Sequence, residues 1–238
     1  MLLNLWSKLR VFLAKIGVLH TIRQSFLWRF KNRNLYKNFH ENALKAFLKV
    51  TNITKENDIE LWPEFGTLLG IERENGFISH DLDLDFGVLF NQDIQNLIRK
   101  EFSKNNFLLL TTTTLKSSNK LIAEKYNFEG VEVDIYYFFE ENGNYINYDL
   151  ETTSGLSIEE EQGEGSKVVP YKNIFTKFKL KRRFFNEIEI LFPENIEQHL
   201  TELYGESYLI PDPKWNQDKR EARYLVEDDE VILEIHRN

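Results

Sequence analysis

The chain has no cysteine, which excludes disulfides, thiolate zinc sites and cysteine nucleophiles and fits a reducing compartment. It also lacks an unbroken apolar run of membrane-spanning length. Near the amino end Leu2, Leu3, Leu5, Trp6, Leu9, Phe12, Leu13 and Ile16 recur at helical spacing, but basic residues interrupt them. No small-residue cleavage site follows, so the segment does not read as a secretory signal. Acids are missing from its first forty residues, which carry Lys8, Arg10, Lys15, Arg23, Arg29, Lys31, Arg33 and Lys37 before Glu41. The net charge of -8 nevertheless makes non-specific nucleic-acid binding an unsuitable function, and no nucleic-acid partner is expected. Internal repeats are absent.

These observations divide the chain into a basic amphipathic helical arm, residues 1-50, and one catalytic domain, residues 51-238. A basic helix bearing Trp and Phe suits an anionic membrane surface, and it equally suits packing on its own domain or on a partner subunit. The expected location is the cytoplasm, with peripheral contact at the inner face of the cytoplasmic membrane through the arm. At 42% hydrophobic and 14% aromatic, 238 residues can bury one sizeable core.

What is present is concentrated in Gly66 to Asp85, GTLLGIERENGFISHDLDLD. Side chains alternate faces along an extended strand, so Asp81, Asp83 and Asp85 point one way while Leu82, Leu84 and Phe86 point the other. Three ionised carboxylates about 6.5 to 7 Å apart along one backbone repel one another unless a cation sits among them. Mg2+, or Mn2+ in its place, is the natural occupant, because a hard cation takes oxygen ligands and is commonly shared with substrate phosphates. The competing reading is a solvated edge strand, although such strands usually mix signs of charge.

Residues 131 to 139, VEVDIYYFF, alternate in the same way and place Glu132, Asp134 and Tyr136 on one face. If this strand lies near the first, Asp134 completes a metal cluster in the manner of phosphoryl-transfer sites. Gly66 and Gly70 allow close backbone approach at the start of a helix whose unpaired N–H groups suit a phosphate, and Thr67 adds a hydroxyl. For Arg73 the alternatives are a bidentate phosphate contact and a structural salt bridge. Glu64 reads as a proton acceptor, a group that orients a base, or a helix-start carboxylate, and His80 as an orienting group beside the acids or a satisfied buried histidine. Trp215, Lys219, Arg220 and Arg223 offer the aromatic surface and cations that a nucleotide donor requires, and ordinary surface chemistry explains them as well.

The run from Gly66 to Asp85 resembles the LicD and fukutin family of polyol-phosphate and choline-phosphate transferases, whose pattern is close to GTLLGxxRxxxFIPWDDDxD. Gly66, Thr67, Leu68, Leu69, Gly70, Arg73, Phe77, Ile78, Asp81, Asp83 and Asp85 stand at the family positions, while Ser79, His80 and Leu82 depart from them. Residues 192 to 215 are similar to the family's closing pattern through Tyr204, Gly205, Pro211 and Trp215. The resemblance implies an α+β fold with a nucleotidyltransferase-like mixed β-sheet flanked by helices. It implies Mg2+-dependent transfer of a phosphate-bearing group from a CDP-linked donor to a hydroxyl of a glycan or lipid-linked glycan, as in capsule or lipopolysaccharide assembly. Asp81, Asp83, Asp85 and Asp134 would then be the catalytic and metal-binding residues. A nucleotidyltransferase moving a nucleoside monophosphate to a small acceptor, a DxD glycosyltransferase and a non-catalytic assembly component are the other readings.

Hydrophobic spacing predicts a helix over 37–50, a loop over 52–58, a strand at 59–65, a helix over 91–104, and strands at 106–112, 120–127, 131–139 and 144–149. Residues 152–167 read as a mobile loop. Residues 175–185, FTKFKLKRRFF, read as a strand with one basic face, either meeting phosphate or lying solvated at an edge.

Overall fold

The computed structural model describes residues 33–152, 168–213, 215–220, 222–227 and 229–236. The arm's first 32 residues and almost all of the predicted loop at 152–167 lie outside the described residues.

Helix α1, Arg33–Glu56, buries Phe39, Ala43, Ala46, Phe47, Val50, Ile53 and Thr54. The three- and four-residue spacing puts these side chains on one stripe facing the sheet. The predicted loop at 52–58 is therefore mostly helix. Thr51 and Thr54 donate their hydroxyls to the carbonyls of Leu48 and Thr51, so polar residues that suggest a loop are absorbed into the last turns. Phe47 is fully buried, with Phe77, Phe86 and Phe185 all at ring-centroid distances of 5.5 Å. The part of the expected arm from residue 33 onward thus joins the common core.

Strand β1, Leu61–Pro63, leads directly into helix α2, Phe65–Glu74, and strand β2, Asp83–Leu89, follows. Helix α3, Gln92–Lys104, begins at Asn91, whose side chain accepts from the Asp93 and Ile94 amides, the usual way to satisfy first-turn donors. Strands β3, Leu108–Leu115, β4, Lys120–Phe128, β5, Val131–Glu141, and β6, Asn144–Thr152, form consecutive antiparallel hairpins. Strand β7, Val168–Thr176, pairs with β6 along its whole length. The expected strand at 175–185 is instead the end of β7, a three-residue break and strand β8, Leu180–Phe185, which forms a separate hairpin with β9, Ile188–Pro193. Helix α4, Ile196–Tyr204, a short 3-10 turn at Gln217–Lys219, and strands β10, Arg223–Leu225, and β11, Val231–Ile235, complete the described chain.

The nine-stranded sheet runs β10-β7-β6-β5-β4-β3-β11, with β1 and β2 branching from it. Among the described residues its pairings are antiparallel except one: β2 lies parallel to β5. This mixed α+β sheet matters for the site because the parallel register sets Asp83 beside Glu132 and Asp85 beside Asp134. The opposite face carries the core, where Leu84, Phe86, Val131, Val133, Ile135 and Tyr137 are almost completely buried. No helix among the described residues is long and apolar enough to cross a membrane.

Candidate active site

The turn between β1 and α2 is the first element of the site. Glu64 is extended, its amide donates to the Asp85 carbonyl at 3.0 Å, and its carbonyl accepts the Leu68 amide at 3.1 Å. Phe65 then adopts φ 44°, a left-handed conformation costly for a bulky residue and one found where a functional turn is over-determined by its surroundings. The surroundings here are specific. Phe65 packs edge-on against Tyr136 at 4.8 Å, and the Arg220 guanidinium lies over its ring at 5.1 Å. Below it, Glu64 is completely buried, accepts from the Trp62 indole N–H at 2.7 Å, and lies 2.8 Å from Nε2 of buried His199. Glu64 makes no side-chain cap on α2. It stands at the helix start, as one expectation has it, and its side chain anchors the turn to β1 and α4.

Past this turn, Gly66 faces Asp81 so closely that a Cβ there would lie 1.7 Å from Asp81 Oδ2. A side chain of any size at position 66 would expel the carboxylate, so glycine is required by the approach itself. Thr67 is buried, and its Oγ1 accepts the Asp85 amide at 2.8 Å, tying the first turn of α2 to β2. Gly70 receives the returning chain: a Cβ there would come within 2.7 Å of the Gly76 carbonyl.

Strand β2 begins only at Asp83, and Asp81 stands just before it, with its amide donating to the Ile78 carbonyl at 3.1 Å. The three carboxylates still converge, with one oxygen from each of Asp81, Asp83 and Asp85 within 4.8 Å of the others. Burial first, and then the Asp83 charge, push the Asp81 carboxyl well above the usual carboxylate range. The same two causes in the same order raise Asp85. Such a cluster favours either shared protons or a cation. Oxygen donors alone, grouped this tightly and partly withdrawn from water, match a hard divalent ion. Asp134 stands outside the 4.8 Å group, although it neighbours Asp85 in register and its charge also raises Asp81 and Asp85.

The sequence reading missed Lys125. On β4 it sits opposite Asp134 in register, with Nζ 2.9 Å from Glu132 and 3.7 Å from Asp134. The attraction of Asp134 outweighs desolvation and holds this ammonium well above the ordinary lysine value. Tyr136 and Tyr204 are also close: burial and then Asp85 raise the Tyr136 hydroxyl, and burial raises that of Tyr204 against the opposing effect of Arg220.

The remaining residues expected at the site divide clearly. Trp215 packs on Tyr204 at 4.8 Å, and its indole N–H is buried without a hydrogen-bond partner among the described residues. His80 is exposed in the turn before Asp81, so it is not a buried histidine. Arg73 lies in the last turn of α2, roughly 10 Å along the axis from Gly66 at 1.5 Å per residue, and pairs with Glu74 at 2.6 Å. Its structural reading is the one observed. Lys219 is exposed and pairs with Asp212 at 2.8 Å. Arg220, only 5% exposed, donates to Asp149 at 3.0 Å and Asn173 at 2.9 Å. Arg223 bridges Asp149 and Glu151 and stacks on Tyr171. These two arginines are braces between the carboxyl-terminal segment and strands β6 and β7.

Residues 58–195 match the model of the LicD/FKTN/FKRP nucleotidyltransferase domain. The chain is similar to ribitol-5-phosphate transferase FKTN of Mus musculus, at 25% identity over 178 residues, and to that of Homo sapiens, at 22% over the same length. In both, the aligned stretch covers 75% of this chain and 35% of the relative, so the match spans about a third of those proteins.

Proposed function

The chain belongs to the LicD/FKTN/FKRP family, and from that premise we propose that it transfers a phosphate-bearing group, a polyol phosphate such as ribitol phosphate or choline phosphate, from a CDP-linked donor to a glycan hydroxyl. The observation that carries this reading is the convergence of the Asp81, Asp83 and Asp85 oxygens within 4.8 Å behind the glycine-led start of α2. Similarity to ribitol-5-phosphate transferases supports the group transferred.

Asp81, Asp83 and Asp85 would hold Mg2+ or Mn2+. Bound there, the ion supplies positive charge to the donor's phosphates and to the leaving nucleotide. The amides of the first turn of α2, which Glu64 leaves uncapped, face the same anionic group. Tyr204 and Trp215 provide an aromatic wall for the cytosine base. The acceptor oxygen attacks the phosphorus that bears the transferred group, a new O–P bond forms, and the P–O bond to CMP breaks. The acceptor proton passes to Asp134, the carboxylate outside the three-oxygen group, and CMP departs with the electron pair. The acceptor is a glycan or lipid-linked glycan, and the amino-terminal arm supplies contact with the membrane surface that carries it.

A screen of CDP-ribitol, CDP-glycerol and CDP-choline with Mg2+ and a native glycan tests the reading. CMP release that depends on Asp83 and Asp85 is expected. Pyrophosphate release from a nucleoside triphosphate would instead identify a nucleotidyltransferase, and unchanged glycan phosphorylation in cells carrying Asp83→Asn and Asp85→Asn would remove the enzymatic reading.

A further inference from the structure

We propose that the site takes one divalent ion and that the Lys125 ammonium supplies the second positive charge, which other phosphoryl-transfer sites draw from a second metal. The inference rests on the reading above, because it concerns the same acids. A two-metal centre holds its ions about 3.5 to 4 Å apart, on carboxylates that bridge both ions and on others that bind one. Here Asp81, Asp83 and Asp85 form one set. The carboxylates left on the same face for a second set are Glu132 and Asp134, neighbours of Asp83 and Asp85 in the parallel register.

Those two are bridged by Lys125. Its Nζ lies 2.9 Å from Glu132 and 3.7 Å from Asp134, and only 23% of its side chain is exposed. Strand β4 places it there: Lys125 lies opposite Asp134, and the flanking pairs Tyr126 with Val133 and Glu124 with Ile135 fix the register through buried side chains. The ammonium therefore occupies the space between Glu132 and Asp134 that a second ion drawing on those two carboxylates would take. A second Mg2+ would have to displace a cation already neutralising its ligands, and it dehydrates reluctantly. Lys125 also has a task a fixed ion lacks. A compact ammonium on a flexible stem can turn one donor toward a phosphate oxygen while it keeps its contacts with Glu132 and Asp134.

The test is a count of ions with Mn2+ alone as the probe, by calorimetric titration and by electron paramagnetic resonance of free and bound Mn2+. The full chain is expected to bind one ion, and Lys125→Arg also one. Lys125→Met frees Glu132 and Asp134 and is expected to bind two, with the broadened signal of a close Mn2+ pair. Lys125→Ala replaces it if Lys125→Met does not fold. Two ions in the unaltered chain would overturn the inference and leave the transferase reading standing. A single ion in both the unaltered chain and the folded Lys125→Met or Lys125→Ala variant would also overturn it. No bound ion in the unaltered chain would sink both.

Discussion

Two carboxylate environments on this sheet differ: a single buried glutamate, and the partly buried trio of Asp81, Asp83 and Asp85. Glu124 on β4 is 1% exposed and accepts from Gln95 at 3.0 Å, from the Tyr126 and Tyr137 hydroxyls at 2.7 Å each, and from Arg99. Every neighbour is a donor, and the phenols of Tyr126 and Tyr137, raised first by burial and next by the Glu124 charge, keep their protons. Asp81, Asp83 and Asp85 instead meet chiefly one another. A buried charge costs free energy unless paired, so the first group is satisfied within the fold and holds α3 to the sheet. The second leaves its charge balance incomplete without something from outside the chain. The difference separates architecture from function without reference to any relative.

The contrast can be broken at either group. The largest effect is expected at the acids: Asp85→Asn or Asp83→Asn should lower transfer roughly a thousandfold, since several kcal/mol of charge stabilisation is at stake. In metal-free protein, Asp85→Asn should match or exceed the unaltered melting temperature, because one repelling charge is gone. Calorimetry and the CMP-release assay read the two quantities separately. Glu124→Ala should do the reverse. It strands two buried hydroxyls and a guanidinium, for a loss of about 3 kcal/mol or roughly 6–12 °C in Tm, while Mn2+ affinity per folded molecule is retained.

A smaller effect is expected from pH. Asp81 and Asp85 have folded values raised above the ordinary 3.8, so between the two values the folded chain binds more protons than the unfolded one. Stability of the metal-free protein should therefore fall as pH rises from about 4 through the folded values. Saturating Mg2+ should flatten or reverse that slope, because the ion favours the ionised carboxylates. Melting curves at several pH values with chelator and with Mg2+ show which sign holds. The smallest effect is expected at Lys219, whose exposed pair with Asp212 should shift Tm by less than about 2 °C on Lys219→Ala, without change in turnover.

The sequence disclosed elements governed by local periodicity and left obscure those governed by register. The alternation of Val131, Val133, Ile135 and Tyr137 against Glu132, Asp134 and Tyr136 predicts β5, and the structure places it over residues 131–141. The convergence of Asp81, Asp83 and Asp85 was legible because like charges at two-residue spacing are informative by themselves. Lys125 was not, since a lone lysine in a strand is ordinary until pairing sets it opposite Asp134. The partners of Arg220 and Arg223 were hidden for the same reason. Asp149, Glu151 and Asn173 lie some fifty to seventy residues earlier, and only the sheet brings them together. The end of α1 was hidden by Thr51, Asn52 and Thr54, residues that suggest a loop until the burial of Ile53 and Thr54 is known.

The most direct measurement is anomalous diffraction from a crystal soaked in Mn2+. A peak bonded to oxygens of Asp81, Asp83 and Asp85 is predicted, with the three carboxylates still converging beside Gly66. Splayed carboxylates with no peak among them, in a crystal that has taken up Mn2+ elsewhere, would contradict the account.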